Sequence, residues 1–167
     1  MTEMRPSAAR CRYSSEILMS RFLALILALL ASGTLHAADS ERFVTEVELP
    51  SGQTAVVAEG DFEARSIGSF SVRLYDVAPP GDQTTFIRAG IVRPRDGTVE
   101  KVMLADVDGD RRPEIIVLAR STGTGSYLSA HAFAFDKHGL TFRAAVSGLP
   151  PDAEPIATLR NSIRKKN

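Results

Sequence analysis

ADVDGDRRPEIIVLARSTGTGSY, residues Ala105 to Tyr127, is the stretch from which the rest of the chain is read. It holds an acidic turn, a short continuous apolar run (Ile115, Ile116, Val117 and Leu118) and a loop of glycines and hydroxyls that ends in tyrosine. Pro113 stands before the run and a Gly/Ser/Thr cluster after it, so it reads as a buried strand and not as a helix. The loop from Arg120 to Ser126 has no large apolar side chain. It cannot be core, and something polar must receive it, either water or a partner.

Outward from this strand the pattern is again strand and turn. On the N-terminal side, Phe43, Val44, Val47 and Leu49 lead through the turn signal Pro50-Ser51-Gly52-Gln53 into Thr54 to Ala58, which predicts a hairpin. Ser69 to Tyr75 alternates, with Phe70, Val72 and Leu74 on one face, and predicts a half-buried strand. Phe86 to Val92 is the next strand, Pro94-Arg95-Asp96-Gly97 a turn, and Val99 to Leu104 a further strand.

On the C-terminal side, Tyr127 to Phe135 alternates large residues with Leu128, Ala130, Ala132 and Ala134, and the alanine face can lie close under another layer. Asp136-Lys137-His138-Gly139 turns the chain into Leu140 to Val146. Pro155 to Arg164 is the helical candidate, with Ile156, Leu159 and Ile163 at offsets of three and four and basic residues at its end. The expected fold is all-β: an antiparallel β-sandwich or barrel of about eight strands with a short C-terminal helix.

Phe22 to Leu30 reads FLALILALL, preceded by Arg21 and followed by small residues up to Ala37. It is too short for a membrane anchor, which wants roughly twenty apolar residues, and suits the core of a secretory signal. Cleavage is expected after Ala37, with Met19 as the true start, so residues 1–37 form an extension and signal and residues 38–167 one domain. The single cysteine, Cys11, lies upstream. The exported product therefore has no disulfide, no thiol nucleophile and no lipid-bearing cysteine, and is expected to be a periplasmic protein without a membrane anchor.

The chain carries 20 Lys+Arg and 20 Asp+Glu; without Arg5, Arg10, Arg12, Arg21, Glu3 and Glu16 these become 16 and 18, a net charge of about −2. Such a chain lacks the basic footprint that nucleic-acid binding requires. About 130 residues suffice for one core.

Two constellations carry chemistry. Asp106, Asp108 and Asp110 alternate around Gly109, and Glu114 follows at the ninth place, a spacing similar to calcium loops. Arg111 and Arg112 intrude on such a cage, and Val117 stands where an EF-hand has its bidentate glutamate. The reading favoured here is an Asp-rich turn whose carboxylates cap backbone N–H groups and pair with those arginines; the alternative is a calcium-dependent binding module. The second constellation is Gly123, Thr124, Gly125, Ser126 and Tyr127. Its glycines let the backbone enter a narrow space or take positive φ. It lacks the Gly-Lys-Ser/Thr ending of a P-loop, and neither His131 nor His138 is tied by spacing to a serine, so no enzyme is expected. As a protruding key the loop makes better sense, because tyrosine brings a large contact area with few rotors to freeze.

Leu49-Pro50-Ser51-Gly52-Gln53, Val57-Ala58-Glu59-Gly60-Asp61-Phe62-Glu63, Arg65-Ser66-Ile67-Gly68-Ser69, Ile91-Val92-Arg93-Pro94-Arg95-Asp96-Gly97 and Gly123-Thr124-Gly125-Ser126-Tyr127 together resemble the periplasmic inhibitors of invertebrate-type lysozyme, over nearly all of Phe43 to Leu149. The resemblance implies a β-sandwich inhibitor, often a homodimer, with lysozyme as its partner and no cofactor. It also implies that a loop with a Ser-Gly-x-Tyr motif enters the lysozyme cleft. That motif falls on Thr124, Gly125, Ser126 and Tyr127, with threonine in place of the usual serine. The hydroxyl survives; the extra methyl bears on the fit to a narrow subsite.

Overall fold

The computed structural model describes residues 42–82 and 84–165, within the compact unit Glu41–Asn167. The expected signal segment, its cleavage point and the start at Met19 lie outside the described residues. Eight strands follow one another: β1 (Val44–Glu48), β2 (Thr54–Glu59), β3 (Ile67–Tyr75), β4 (Ile87–Asp96), β5 (Thr98–Ala105), β6 (Glu114–Arg120), β7 (Leu128–Asp136) and β8 (Gly139–Leu149). The helix α1 (Pro155–Arg164) closes the order. Each run of four strands forms one antiparallel sheet in sequence order, β1-β2-β3-β4 and β5-β6-β7-β8. The two sheets stay separate, so the fold is a sandwich and the barrel alternative is not realised.

Period-two alternation explains the core. In β2 and β3, Ala55 pairs with Leu74 and Val57 with Val72, and all four are fully buried. Across the gap lie Val99, Ile115, Val117 and Phe133 of the second sheet. β6 is buried on both faces because it has a layer on each side: Ile115 and Val117 face the first sheet, whereas Ile116 packs with Ala130, Ala132 and Ala144 under Leu159 and Ile163 of α1. The alanines matter sterically, since a side chain of one carbon lets the helix lie close to the sheet. Pro155 sits in the first turn of α1, where its missing N–H has no intrahelical acceptor to lose. Leu159 is fully buried, and its truncation to alanine costs about 2–5 kcal/mol.

One expected turn is strand instead. Residues 94–96 continue β4, Pro94 pairs with Ser69, and the chain changes sheets at Gly97, whose φ is +86°. Proline is tolerated there because β4 is an edge strand, with one side free of ladder partners. A Cβ at Gly97 would also overlap the backbone of Arg120 and Ser121, so the position needs glycine on two counts. Among the described residues no helix is long and apolar enough to cross a membrane.

Candidate functional site

β6 carries one constellation at each of its ends. The loop 121–127 lies between β6 and β7, so two adjacent strands hold its ends. Its neck is closed by a reciprocal pair: the Ser121 N–H donates to the Tyr127 carbonyl at 2.9 Å, and the Tyr127 N–H donates to the Ser121 hydroxyl at 3.0 Å. Inside the neck, the Ser126 N–H donates to the Gly123 carbonyl at 3.0 Å, which makes residues 123–126 a turn. The Arg120 guanidinium donates to the Ser126 carbonyl at 3.1 Å and is itself held by two bonds to the Glu100 carboxylate, at 2.7 and 3.1 Å. These bonds set the shape of the loop before any partner arrives.

The tip points outward. Thr122, Gly123 and Thr124 are exposed, Gly125 and Ser126 are partly covered, and Tyr127 keeps 53% of its surface in solvent. The glycines serve differently from the expectation. Positive φ falls on Ser126, at 45°, and on neither Gly123 nor Gly125. Gly125 is needed because the Tyr127 ring lies over its Cα, where a Cβ would overlap the ring carbons. Gly123 has open space around it.

At the other end of β6 the acidic loop is turned in on itself. Asp106 accepts from the N–H groups of Gly109 at 2.7 Å and Arg111 at 3.1 Å. Asp108 accepts from the Asp110 N–H at 3.1 Å and from the Arg143 guanidinium at 2.7 Å. Asp110 caps the Arg112 N–H at 2.7 Å and pairs with its side chain at 3.3 Å, and buried Glu114 accepts from the Val107 N–H at 2.8 Å. Of the two arginines expected to neutralise the loop, Arg112 does so with its side chain, whereas Arg111 contributes its N–H; the second cation is Arg143 from β8. Asp106, Asp108 and Glu114 each bring an oxygen within 4.8 Å of the others, and Asp110 is not among them. Calcium takes about six to eight oxygens, so this set would leave most of its shell to water.

Burial pushes the Glu114 carboxyl above the usual carboxylate range, reinforced by Asp108, Asp110 and Asp106 and opposed by the Val107 N–H. Burial pushes Asp108 up as well, but its bonds from the Asp110 N–H and from Arg143 outweigh that and leave it below the usual range.

The histidines stand where the alternation places them. His131 lies 7% exposed between the sheets, edge-on to Phe70 at 5.1 Å between ring centroids. Burial, and then the nearby Arg93 charge, lower its pKa to about 4, so near neutral pH it is an uncharged core residue. His138 is an exposed hairpin residue whose N–H donates to Asp136. Neither is bonded to a serine hydroxyl.

Sequence reasoning missed a buried ion pair. Glu59 and Arg95 have fully buried side chains, 3.8 Å apart, and Glu59 accepts from the Val99 N–H of the other sheet at 2.7 Å. The signal was present, because Glu59 continues the inward row of Ala55 and Val57.

A β-sandwich that presents a pre-shaped polar loop ending in a half-exposed tyrosine has the form of a binding protein. Residues 41–163 match the family model described as periplasmic lysozyme inhibitor of I-type lysozyme, and the chain belongs to that family. It is thus a periplasmic lysozyme inhibitor. The crystal structure of the periplasmic lysozyme inhibitor of I-type lysozyme from Aeromonas hydrophila is similar at a TM-score of 0.66 and 43% identity, covering 70% of this chain and 98% of that one. The same inhibitor in complex with Meretrix lusoria lysozyme gives a TM-score of 0.65 and 43% identity, covering 71% and 95%. No curated protein matches the chain.

Proposed function

We propose that this protein blocks an I-type lysozyme by inserting the loop of Gly123, Thr124, Gly125, Ser126 and Tyr127 into the active-site cleft. The observation that carries the reading is the braced, outward-facing tip with Tyr127 half exposed beside it. A lysozyme cleft offers two carboxyl groups, one kept protonated as an acid and one ionised. The hydroxyls of Thr124 and Tyr127 are neutral donors, so they can bond such groups without burying a charge of their own. A hydrogen bond to a charged group contributes about 1.5–3 kcal/mol. Bracing adds to affinity, because the loop loses little freedom on docking. A net charge of about −2 steers the inhibitor only weakly toward a basic enzyme.

The active form in this proposal is residues 38–167, released after Ala37, and it works without a metal ion. The second reading is a calcium-dependent binding module, favoured by the convergence of Asp106, Asp108 and Glu114. The test of the main reading is Tyr127→Ala. It should weaken inhibition of an I-type lysozyme at least about tenfold, or about 1.4 kcal/mol, with an unchanged melting temperature. An unaltered inhibition constant removes the loop from the mechanism.

A further inference from the structure

The connection between β2 and β3, residues 60–66, displays a phenylalanine that the fold does not use. Phe62 is fully exposed, and its φ of +60° is a backbone that bulky residues avoid. A lone exposed apolar side chain needs no explanation. This one differs in how firmly it is held and in where it stands.

The segment is bonded on every side. The Glu63 carboxylate accepts from the Ser69 N–H and from the Ser69 hydroxyl, the latter at 2.7 Å, while the Glu63 carbonyl accepts from Arg42 at 2.6 Å. The buried Arg95 guanidinium donates to the carbonyls of Ala64 at 3.2 Å, Arg65 at 2.9 Å and Ser69 at 3.0 Å, and to that of Gly97. Arg65 closes the ring by donating to Glu59 at 3.2 Å. The Glu63 carboxylate lies against Gly60 and Gly68, where any Cβ would displace it. A strained residue persists where its surroundings over-determine it, and such strain gathers at binding sites.

The same segment is tied to the rim that carries loop 121–127. The Gly97 N–H donates to the Ser66 carbonyl at 2.7 Å, and the Gly97 Cα lies against the backbone of Arg120 and Ser121 at the root of that loop. One rim therefore displays Phe62, Ile67 at 67% exposure and Tyr127.

We infer that Phe62 is a second anchor of the inhibitor, seating its ring in an apolar depression on the lip of the lysozyme cleft that loop 121–127 enters. The inference rests on the reading of that loop given above. Aromatic anchors on rigid backbone lose little entropy on docking and dominate binding energy at interfaces.

The test uses Phe62→Asn, because asparagine tolerates positive φ while removing the ring. Titrated against Meretrix lusoria lysozyme, it should inhibit at least about fivefold less well than the wild type, with a melting temperature equal or higher. Phe62→Tyr, which keeps the ring, should inhibit within about twofold of the wild type. Wild-type inhibition by Phe62→Asn overturns the inference, and so does a change in the oligomeric state of the free Phe62→Asn protein, which would assign the ring to self-association. Tyr127→Ala in the same titration separates the two readings. If Tyr127→Ala loses inhibition and Phe62→Asn does not, the anchor alone fails; if Phe62→Asn loses inhibition and Tyr127→Ala does not, the loop reading fails and the placement of the anchor beside that loop fails with it.

Discussion

The two loops that flank β6 are built from polar residues in similar proportion and dispose of them in opposite ways. Between Asp106 and Glu114 the carboxylates bond N–H groups of their own loop, and Asp108 and Asp110 also bond the guanidiniums of Arg143 and Arg112. Between Ser121 and Tyr127 the internal bonds hold the neck and the turn, and the exposed hydroxyl of Thr124 and the half-exposed Tyr127 are left at the surface. A loop whose polar groups are consumed internally stabilises the fold. One that is rigid at its root and exposed at its tip is shaped for a partner, since docking then orders little that was mobile.

Substitutions at the two ends of β6 should separate accordingly. After Tyr127→Ala, the largest effect is expected at Gly125→Ala, where the added methyl displaces the Tyr127 ring. Inhibition should weaken about fivefold while denaturant melts stay within about 0.5 kcal/mol of the wild type, and a loss of stability without loss of inhibition would erase the contrast.

A smaller effect is expected from Glu114→Gln, which keeps an oxygen for the Val107 N–H and removes the charge. Glu114 has a folded-state pKa above its ordinary value. Its contribution to stability is thus fully present below the unfolded pKa of about 4.3 and is lost as pH rises through the folded value. The variant should therefore be the more stable protein near pH 7, and the two should converge below about pH 4. Thermal melts across that range would show it; a variant less stable at neutral pH would mean that the charge is needed, as a metal site requires. The smallest effect is expected from calcium. Millimolar calcium or a chelator should move the melting temperature by less than about 1 °C, because ligand stabilisation requires a site that binds below the working concentration. A clear rise would favour the calcium module.

Much of this arrangement was legible from residue order. The run from Ile115 to Leu118 is a strand buried on both faces, Ala130 and Ala132 of β7 do lie beneath a second layer, and α1 spans Pro155–Arg164 as its apolar offsets and basic end predict. These readings worked because periodicity and burial report the same physical fact. The route of β4 through Pro94 was not legible, since a Pro-x-x-Gly sequence suits a turn equally well and only the edge position of the strand decides. The Glu59–Arg95 pair was missed because a charge at the end of an apolar row looks like the end of the strand. The exposure of the loop Gly123 to Tyr127 was legible from its composition, but its bracing by Arg120 and Glu100 depends on strand pairing, which no local pattern states. Phe62 was the least legible of all: between Asp61 and Glu63 no local pattern states the positive φ at which it stands fully exposed.

The central claim is that the inhibitor occupies the groove where lysozyme holds its glycan. Competition with a chitin oligosaccharide measures this directly: residues 38–167 are titrated into an I-type lysozyme at increasing oligosaccharide concentration. The apparent dissociation constant should climb linearly with the sugar concentration and reach no plateau. Undiminished binding to the sugar-filled enzyme would place the contact elsewhere and contradict the account.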